Sequence, residues 1–247
     1  MSAKTLRVVS WNVWFGHWAQ EQRHAALWAE LERLAPDVIC LQEVVPEHLA
    51  GPQIERLRER GHWISNEVIF DYDVITLTRM PVRASQRVAL PTTMGRELLL
   101  VRLGTDPPLT IANVHLESRA DETECRVRQL ERITACLAEE PDVVLLGDMN
   151  FPALGERPEN RPLAGWTDAW AQLRPDDPGF TIDSEINRMR WLHKRAHDQR
   201  RIDRVFCRSP RWVVSGIEVV GREPLPGDPL TFISDHFGLC VDLHCAG

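Results

Sequence analysis

The sequence predicts a mixed fold, α/β or α+β, on two observations: short β-branched apolar runs alternate with longer helical patterns, and no Gly/Ser-rich linker divides them. Strand candidates in chain order are "LRVVSWNV", "DVICLQEV", "DVITLTR", "ELLLVRL", "LTIANVHL", "DVVLLGD", "RIDRVFC", "WVVSGIEVV" and "FGLCVDL". Helix candidates cover residues 18–35, 46–60 and 121–139. In "CRVRQLERITACLAEE", Val127, Leu130, Ile133 and Leu137 recur at helical spacing while charges fill the other face, as in a helix lying on a sheet, and Pro141 closes it. Pro-rich loops at 152–162 and 222–229 read as surface excursions, so one domain over residues 1–247 is expected.

At 247 residues and 43% hydrophobic, the chain can bury a sizeable core. No run approaches the roughly 18 apolar residues that a membrane helix needs. The start, "MSAKTLRVVSW", lacks the charged-then-apolar pattern of a signal peptide, so a soluble, cytoplasmic protein without a membrane segment is expected. Cys40, Cys125, Cys136, Cys207, Cys240 and Cys245 form no C-x-x-C pair and read as reduced, structural thiols.

A formal net charge of −7 argues against indiscriminate binding to polyanions. Residues 188–204, "RMRWLHKRAHDQRRIDR", nevertheless carry a formal +5, which leaves −12 on the rest of the chain. A basic segment holding Trp191 suits a local phosphate-binding or strand-stacking site. A solvated, partly helical face has the same composition.

The chemistry lies where the apolar runs stop. Asn12, then Gln42 and Glu43, then His115, Glu117 and Ser118, then Asp148 and Asn150, and last Asp235 and His236 stand at strand ends, where loops converge to build sites. Singly, each has a structural alternative: Asn12, Asp148 or Asn150 in a turn, Glu43 capping a helix, His115 bonded to backbone. Asp203 resists that treatment, because a mid-strand carboxylate flanked by Ile202 and Val205 needs a buried partner, and a histidine would serve. Together the hard oxygen donors Glu43, Asp148, Asn150, Asn12 and Asp235 suit Mg²⁺ or Mn²⁺, and the lack of Cys/His clusters argues against zinc. Such a site fits phosphoester hydrolysis.

"SWNVW", "LQEV", "NVHLES", "GDMN", "RIDRVF" and "SDHFGL" resemble, in order and approximate spacing, the motifs of the endonuclease/exonuclease/phosphatase superfamily. The resemblance runs from about residue 6 to 243 and implies a deoxyribonuclease I-like four-layer sandwich, with two packed mixed β-sheets flanked by helices. It also implies roles. Glu43 resembles the direct metal ligand, Asn12 the amide beside it, and Asp235 an additional metal-site carboxylate. Asp148 and Asn150 resemble the pair that activates water, His115 a phosphate-oxygen donor, and His236, paired with Asp203, the imidazole on the scissile phosphate.

Within that superfamily the sequence is similar to the tyrosyl-DNA phosphodiesterase 2 branch, through "HLES" with Ser118, "CRVRQL", "FTIDSEIN" and "RRIDRVF". "SWNVWFG" stands where that branch has a Gly-Leu-containing turn, and Ile182 where it has Trp. The resemblance implies a Mg²⁺-dependent phosphodiesterase acting on DNA 5′ ends, with Ser118, Trp191, Arg195, Arg201 and Arg204 as substrate-binding candidates and a DNA end or single strand as partner. A phosphatase or phosphodiesterase of a small phosphoester, inositol phosphate or lipid head group is the alternative. A catalytically silent binding module would not require the full acid, amide and imidazole set. No protein partner is legible.

Overall fold

Apolar side chains occupy both faces of the central strands, so each sheet must be covered on two sides. The structure, a computed structural model, describes residues 5–66 and 68–245. In chain order the elements begin β1 (Thr5–Asn12), α1 (Gln20–Leu34), β2 (Val38–Val44), α2 (Pro46–Leu49), α3 (Pro52–Glu59), β3 (Trp63–Ile64) and β4 (Asp73–Thr78). They continue with β5 (Val82–Ala89), β6 (Glu97–Leu103), β7 (Leu109–His115), α4 (Thr123–Cys136), β8 (Val143–Asp148), β9 (Thr167–Asp168) and α5 (Ala169–Leu173). The chain closes with β10 (Ile182–Asp183), α6 (Arg188–Lys194), β11 (Gln199–Arg200), β12 (Asp203–Arg208), β13 (Trp212–Val220) and β14 (Gly238–Cys245).

One mixed sheet has the order β13-β14-β1-β2-β4-β3, and the second β5-β6-β7-β8-β12-β9. Each pairs two of its strands in parallel, β1 with β2 and β7 with β8, and the rest antiparallel. Alternation along the strands divides the core. Val8, Val38 and Val241 of the first sheet meet Leu99, Val101, Val144 and Leu146 of the second between the sheets. The alternate residues face outward: Val9, Ile39 and Leu41 receive Leu27, Leu31 and Leu34 of α1, while Leu98, Ala112 and Leu145 receive Leu130 and Ile133 of α4. These layers are the expected sandwich, and burying each such side chain contributes about 1.5–3 kcal/mol.

The strands expected from the apolar runs all form. The helix expected over 46–60 instead breaks into α2 and α3 at Gly51, whose φ of +117° and following Pro52 interrupt it. β5 escaped the sequence reading because it is an edge strand with mostly exposed, polar residues. Among the described residues, no helix is long and apolar enough to cross a membrane.

Candidate active site

Strand register assembles the centre of the site. Parallel pairing sets His115 of β7 opposite Asp148 of β8, and antiparallel pairing sets Asp203 of β12 opposite the same Asp148. Three residues far apart in sequence thus stand side by side at one end of the second sheet. Gly147 permits it: its φ is +131°, and a Cβ there would lie 1.9 Å from the Val114 carbonyl oxygen.

The first sheet supplies the facing wall. Asn12 ends β1, fully buried, and its Nδ2 donates to Glu43 Oε1 at 3.1 Å and to Asp148 Oδ2 at 3.0 Å, joining the two sheets. Glu43 has left-handed backbone, φ +57°, and its Oε2 accepts from Phe15 N. Gln42, beside it, turns between the sheets and donates to Asn113 Oδ1 at 2.8 Å, a structural tie beneath the cluster. Glu117 is likewise structural, accepting from Thr92, Thr93 and Gln129.

The loop before β14 closes the centre. Ser234 Oγ donates to Asn12 O and accepts from His236 N, while Trp11 Nε1 donates to His236 O. Gly238 lets this loop descend, since a Cβ there would meet the Trp11 ring at 2.6 Å. His236 Nδ1 lies 2.9 Å from Asp203 Oδ2, which is the buried partner that Asp203 requires. Asp235 Oδ2 accepts from Arg190 Nη1, and its Oδ1 is 3.9 Å from His236 Nε2.

Charge is divided sharply. Burial works against a charged His236, but Asp203, Asp235 and Asp148 outweigh it and push its pKa up to about 10. His115 is held well below the usual histidine range by burial, then by Arg96 and His236. Arg96 Nη1 stands 3.1 Å from His115 Nδ1, and a guanidinium only donates, so His115 is neutral with its proton on Nε2. Burial and the neighbouring Asp203 push Asp148 up to about 7, against His236 and the hydrogen bonds from Asn12 and Asn150 N. Burial, and after it Asp235, raises Glu43.

Two sets of metal-capable groups overlap here, Glu43 with His115 and Asp148, and Asp148 with Asp203 and His236; within each, one ligand atom per residue lies within 4.8 Å of the others. Asn150, with φ +55°, commits its Nδ2 to Leu116 O at 2.9 Å and reaches Ser118 Oγ at 3.4 Å. Ser118 Oγ also accepts from Arg96 Nη2 at 2.7 Å, which brings it beside His115.

The basic segment divides. Trp191 is 40% exposed on α6 with the Arg195 guanidinium 5.4 Å from its ring centre, and Trp14 contacts His193 edge-on. Arg201 and Arg204 do not share that surface: each is 5% exposed and ion-paired with Asp168, because the adjoining β-strand carries them inward. Arg96 and Tyr72 enter the site without a sequence signal of their own, and Arg190 of the basic segment turns inward onto Asp235; the Arg96 guanidinium sits 5.2 Å from the Tyr72 ring centre, and that ring is 6.5 Å from His115.

The pattern of the Endonuclease/Exonuclease/phosphatase family matches residues 9–236, which run from β1 to His236. The chain belongs to this family. Curated relatives include tyrosyl-DNA phosphodiesterase 2 of Mus musculus, 27% identical over 259 residues, covering 98% of this chain and 67% of the relative. The Gallus gallus protein of that name is 29% identical over 237 residues, covering 89% and 61%. The chain thus spans about two thirds or less of the length of these relatives. The crystal structure of D. rerio TDP2 complexed with single-strand DNA product superposes with a TM-score of 0.83 at 25% identity, covering 97% of this chain and 99% of that one. As an endonuclease/exonuclease/phosphatase domain, this one keeps its polar cluster where strands from both sheets end.

Proposed function

We propose that this chain is a divalent-metal-dependent phosphodiesterase that hydrolyses phosphoester bonds at DNA 5′ ends, with a 5′-tyrosyl linkage as its substrate class, and that residues 1–247 form the one domain that carries it. The observation that carries the reading is the convergence of His115 and His236 on Asp148, in register with Asp203. The relatives' name, tyrosyl-DNA phosphodiesterase 2, and the strand product held by the D. rerio protein support the substrate class.

The donor set fits a hard cation. Carboxylate and amide oxygens dominate it, and the buried Oδ1 atoms of Asp203 and Asp235 have no hydrogen-bond partner among the described residues. Glu43 and Asp235 would hold Mg²⁺ or Mn²⁺, with Asn12 steadying Glu43 through its Nδ2 while its Oδ1 accepts from Trp14 N; the cation when bound supplies Lewis-acid stabilisation of charge on the phosphoryl oxygens. His236 donates Nε2–H to a phosphoryl oxygen, with Asp203 fixing its ring from the other side. Neutral His115 donates its own Nε2–H. Asp148, held up to about 7, accepts the proton of the attacking water, and Asn150 presents its carbonyl oxygen to that water. The water oxygen bonds to phosphorus as the bond to the tyrosyl oxygen breaks, releasing a 5′-phosphate and the tyrosyl group. Ser118 contacts the phosphoryl end, and Trp191 with Arg195 offers a stacking and phosphate contact for the strand.

The test is incubation with Mg²⁺ and, separately, a 5′-phosphotyrosyl oligonucleotide, an abasic duplex, an inositol polyphosphate and sphingomyelin. Metal-dependent release from the tyrosyl oligonucleotide is expected, falling about 10²–10⁴-fold in Asp148→Asn and His236→Ala. Equal turnover in EDTA would overturn the mechanism, and turnover of only the small phosphoesters would replace the substrate class.

A further inference from the structure

Arg190 is 7% exposed on the inner side of α6, bracketed by two carboxylates. Its Nη1 donates to Asp235 Oδ2 at 2.5 Å and its Nη2 to Asp198 Oδ2 at 2.8 Å. Asp198 is held from behind by Arg200, through Nε at 2.5 Å and Nη2 at 2.7 Å, so the guanidinium is fixed at both ends. The start of α6 is pinned to the same loop that it serves: Asn187 Nδ2 donates to Ser234 O at 2.8 Å, while Asn187 Oδ1 accepts from Arg190 N.

Asp235 therefore has one oxygen tied and the other, Oδ1, buried without a hydrogen-bond partner among the described residues. That free oxygen stops 3.9 Å from His236 Nε2, beyond hydrogen-bond range. A carboxylate oxygen and a ring N–H that close would ordinarily meet, because hydrogen bonds to a carboxylate are among the strongest available. The other oxygen, Oδ2, is the one that Arg190 ties.

We propose that Arg190 is a positioning residue that keeps Asp235 off His236 Nε2, leaving that nitrogen to a phosphoryl oxygen. The proposal rests on reading the cluster as a phosphodiester site, and it gives α6 a task on its inner face distinct from any strand contact on its outer one. Without Arg190, Asp235 loses the tie that steadies it between the cation and His236, and turns onto His236 Nε2 in competition with the phosphate.

The experiment follows the His236 imidazole ¹⁵N resonances in the Mg²⁺-loaded protein as inorganic phosphate is added. In the unaltered protein the Nε2 resonance should move with phosphate. In Arg190→Met it should start at a hydrogen-bonded position, with phosphate affinity about tenfold weaker, the loss of one charge-assisted hydrogen bond. Arg190→Lys, which keeps the charge but not the planar fork that spans Asp235 and Asp198, should fall between. Arg190→Met combined with Asp235→Ala should bind phosphate within about twofold of Asp235→Ala alone, since the effect passes through Asp235. Where Arg190→Met alone fails to fold, the lysine variant and the double variant decide. Unchanged phosphate affinity in the Arg190 variants, with only thermal stability lost, would overturn this proposal alone. An unaltered protein that neither responds to phosphate nor hydrolyses a phosphoester would overturn the phosphodiesterase reading and this proposal with it.

Discussion

Arg96 Nη1 approaches His115 Nδ1 to 3.1 Å inside the fold, and this contact fixes which tautomer faces the cluster. Replacing Arg96 by Met removes the only charged donor on that ring nitrogen among the described residues. The proton can then sit on either nitrogen, and the Nε2 donor is present only part of the time. We expect activity to fall by roughly 10- to 100-fold, in the range for a group that orients an essential one. The ¹⁵N spectrum should change from a single Nε2–H form to a tautomer mixture, whereas an unchanged spectrum would remove this role from Arg96.

On the proposed mechanism, His236 and Asp203 should set the alkaline edge of the reaction. The folded pKa of His236, about 10, lies above the ordinary value of 6.5, so its charge contributes stability that is fully present below 6.5 and lost as pH rises through 10. Asp203→Asn removes the largest of the influences raising it, leaving burial to lower it. The alkaline limbs of both activity and thermal stability should therefore move to lower pH in that variant. A pH–rate profile with its upper limb unmoved would show that His236 does not titrate on that limb.

Much of this site was legible because apolar strand runs end abruptly on polar residues, and the fold brings those ends together. Asn12, Glu43, His115, Asp148 and His236 were each visible that way, and Asp203 as a mid-strand carboxylate in want of a partner. Their register was not: nothing local in "NVHLES" or "RIDRVF" says that both His115 and Asp203 pair with Asp148. The run of positive charge at 188–204 concealed two different environments. Trp191 and Arg195 stand at the surface, but Arg201 and Arg204 are drawn inward by Asp168, more than 30 residues earlier in the chain. Arg96 and Tyr72 lie on segments with no signal of function, and only tertiary packing reveals them; Arg190 lies in the basic run, but packing turns it inward onto Asp235.

His24 of α1 and His48 of α2 stack with ring centres 3.6 Å apart, and Nε2 of each is buried without a hydrogen-bond partner among the described residues. Burial, with Arg23 and the other imidazole adding to it at His48, lowers His24 to about 4 and His48 to about 3. Both folded values lie below the ordinary 6.5, so the unfolded chain takes up these protons first. Stability should be whole above pH 6.5 and decline as pH falls toward 3–4. His48 alone should remove roughly 1.5 kcal/mol between pH 6.5 and 5. Thermal melts across that range test this, with His48→Gln as comparison; a variant that keeps the same acid slope would place the proton uptake elsewhere.

Arg23, 1% exposed, spends its guanidinium on backbone. Its nitrogens donate to the carbonyls of Ile233, Gly16, Trp18, Val13 and Trp14 at 2.7–3.1 Å, and its Cζ lies 4.5 Å from the Trp14 ring centre. Burial pushes its pKa down to about 10, against the pull of Asp235 and Glu43, yet it remains a cation at neutral pH. The loop that it gathers carries Phe15, whose N–H reaches Glu43 Oε2 at 3.3 Å, so Arg23 braces one wall of the cluster from behind. Arg23→Met leaves those carbonyls without their donor and should destabilise the fold by about 3 kcal/mol or more, read as a lower urea midpoint. Arg23→Lys retains the charge but not the planar fork, and should fall between the two. Because Phe15 then releases Glu43, activity should require more Mg²⁺ in Arg23→Lys than in the unaltered protein. A lysine variant that is less stable but shows the same Mg²⁺ dependence would confine Arg23 to the fold.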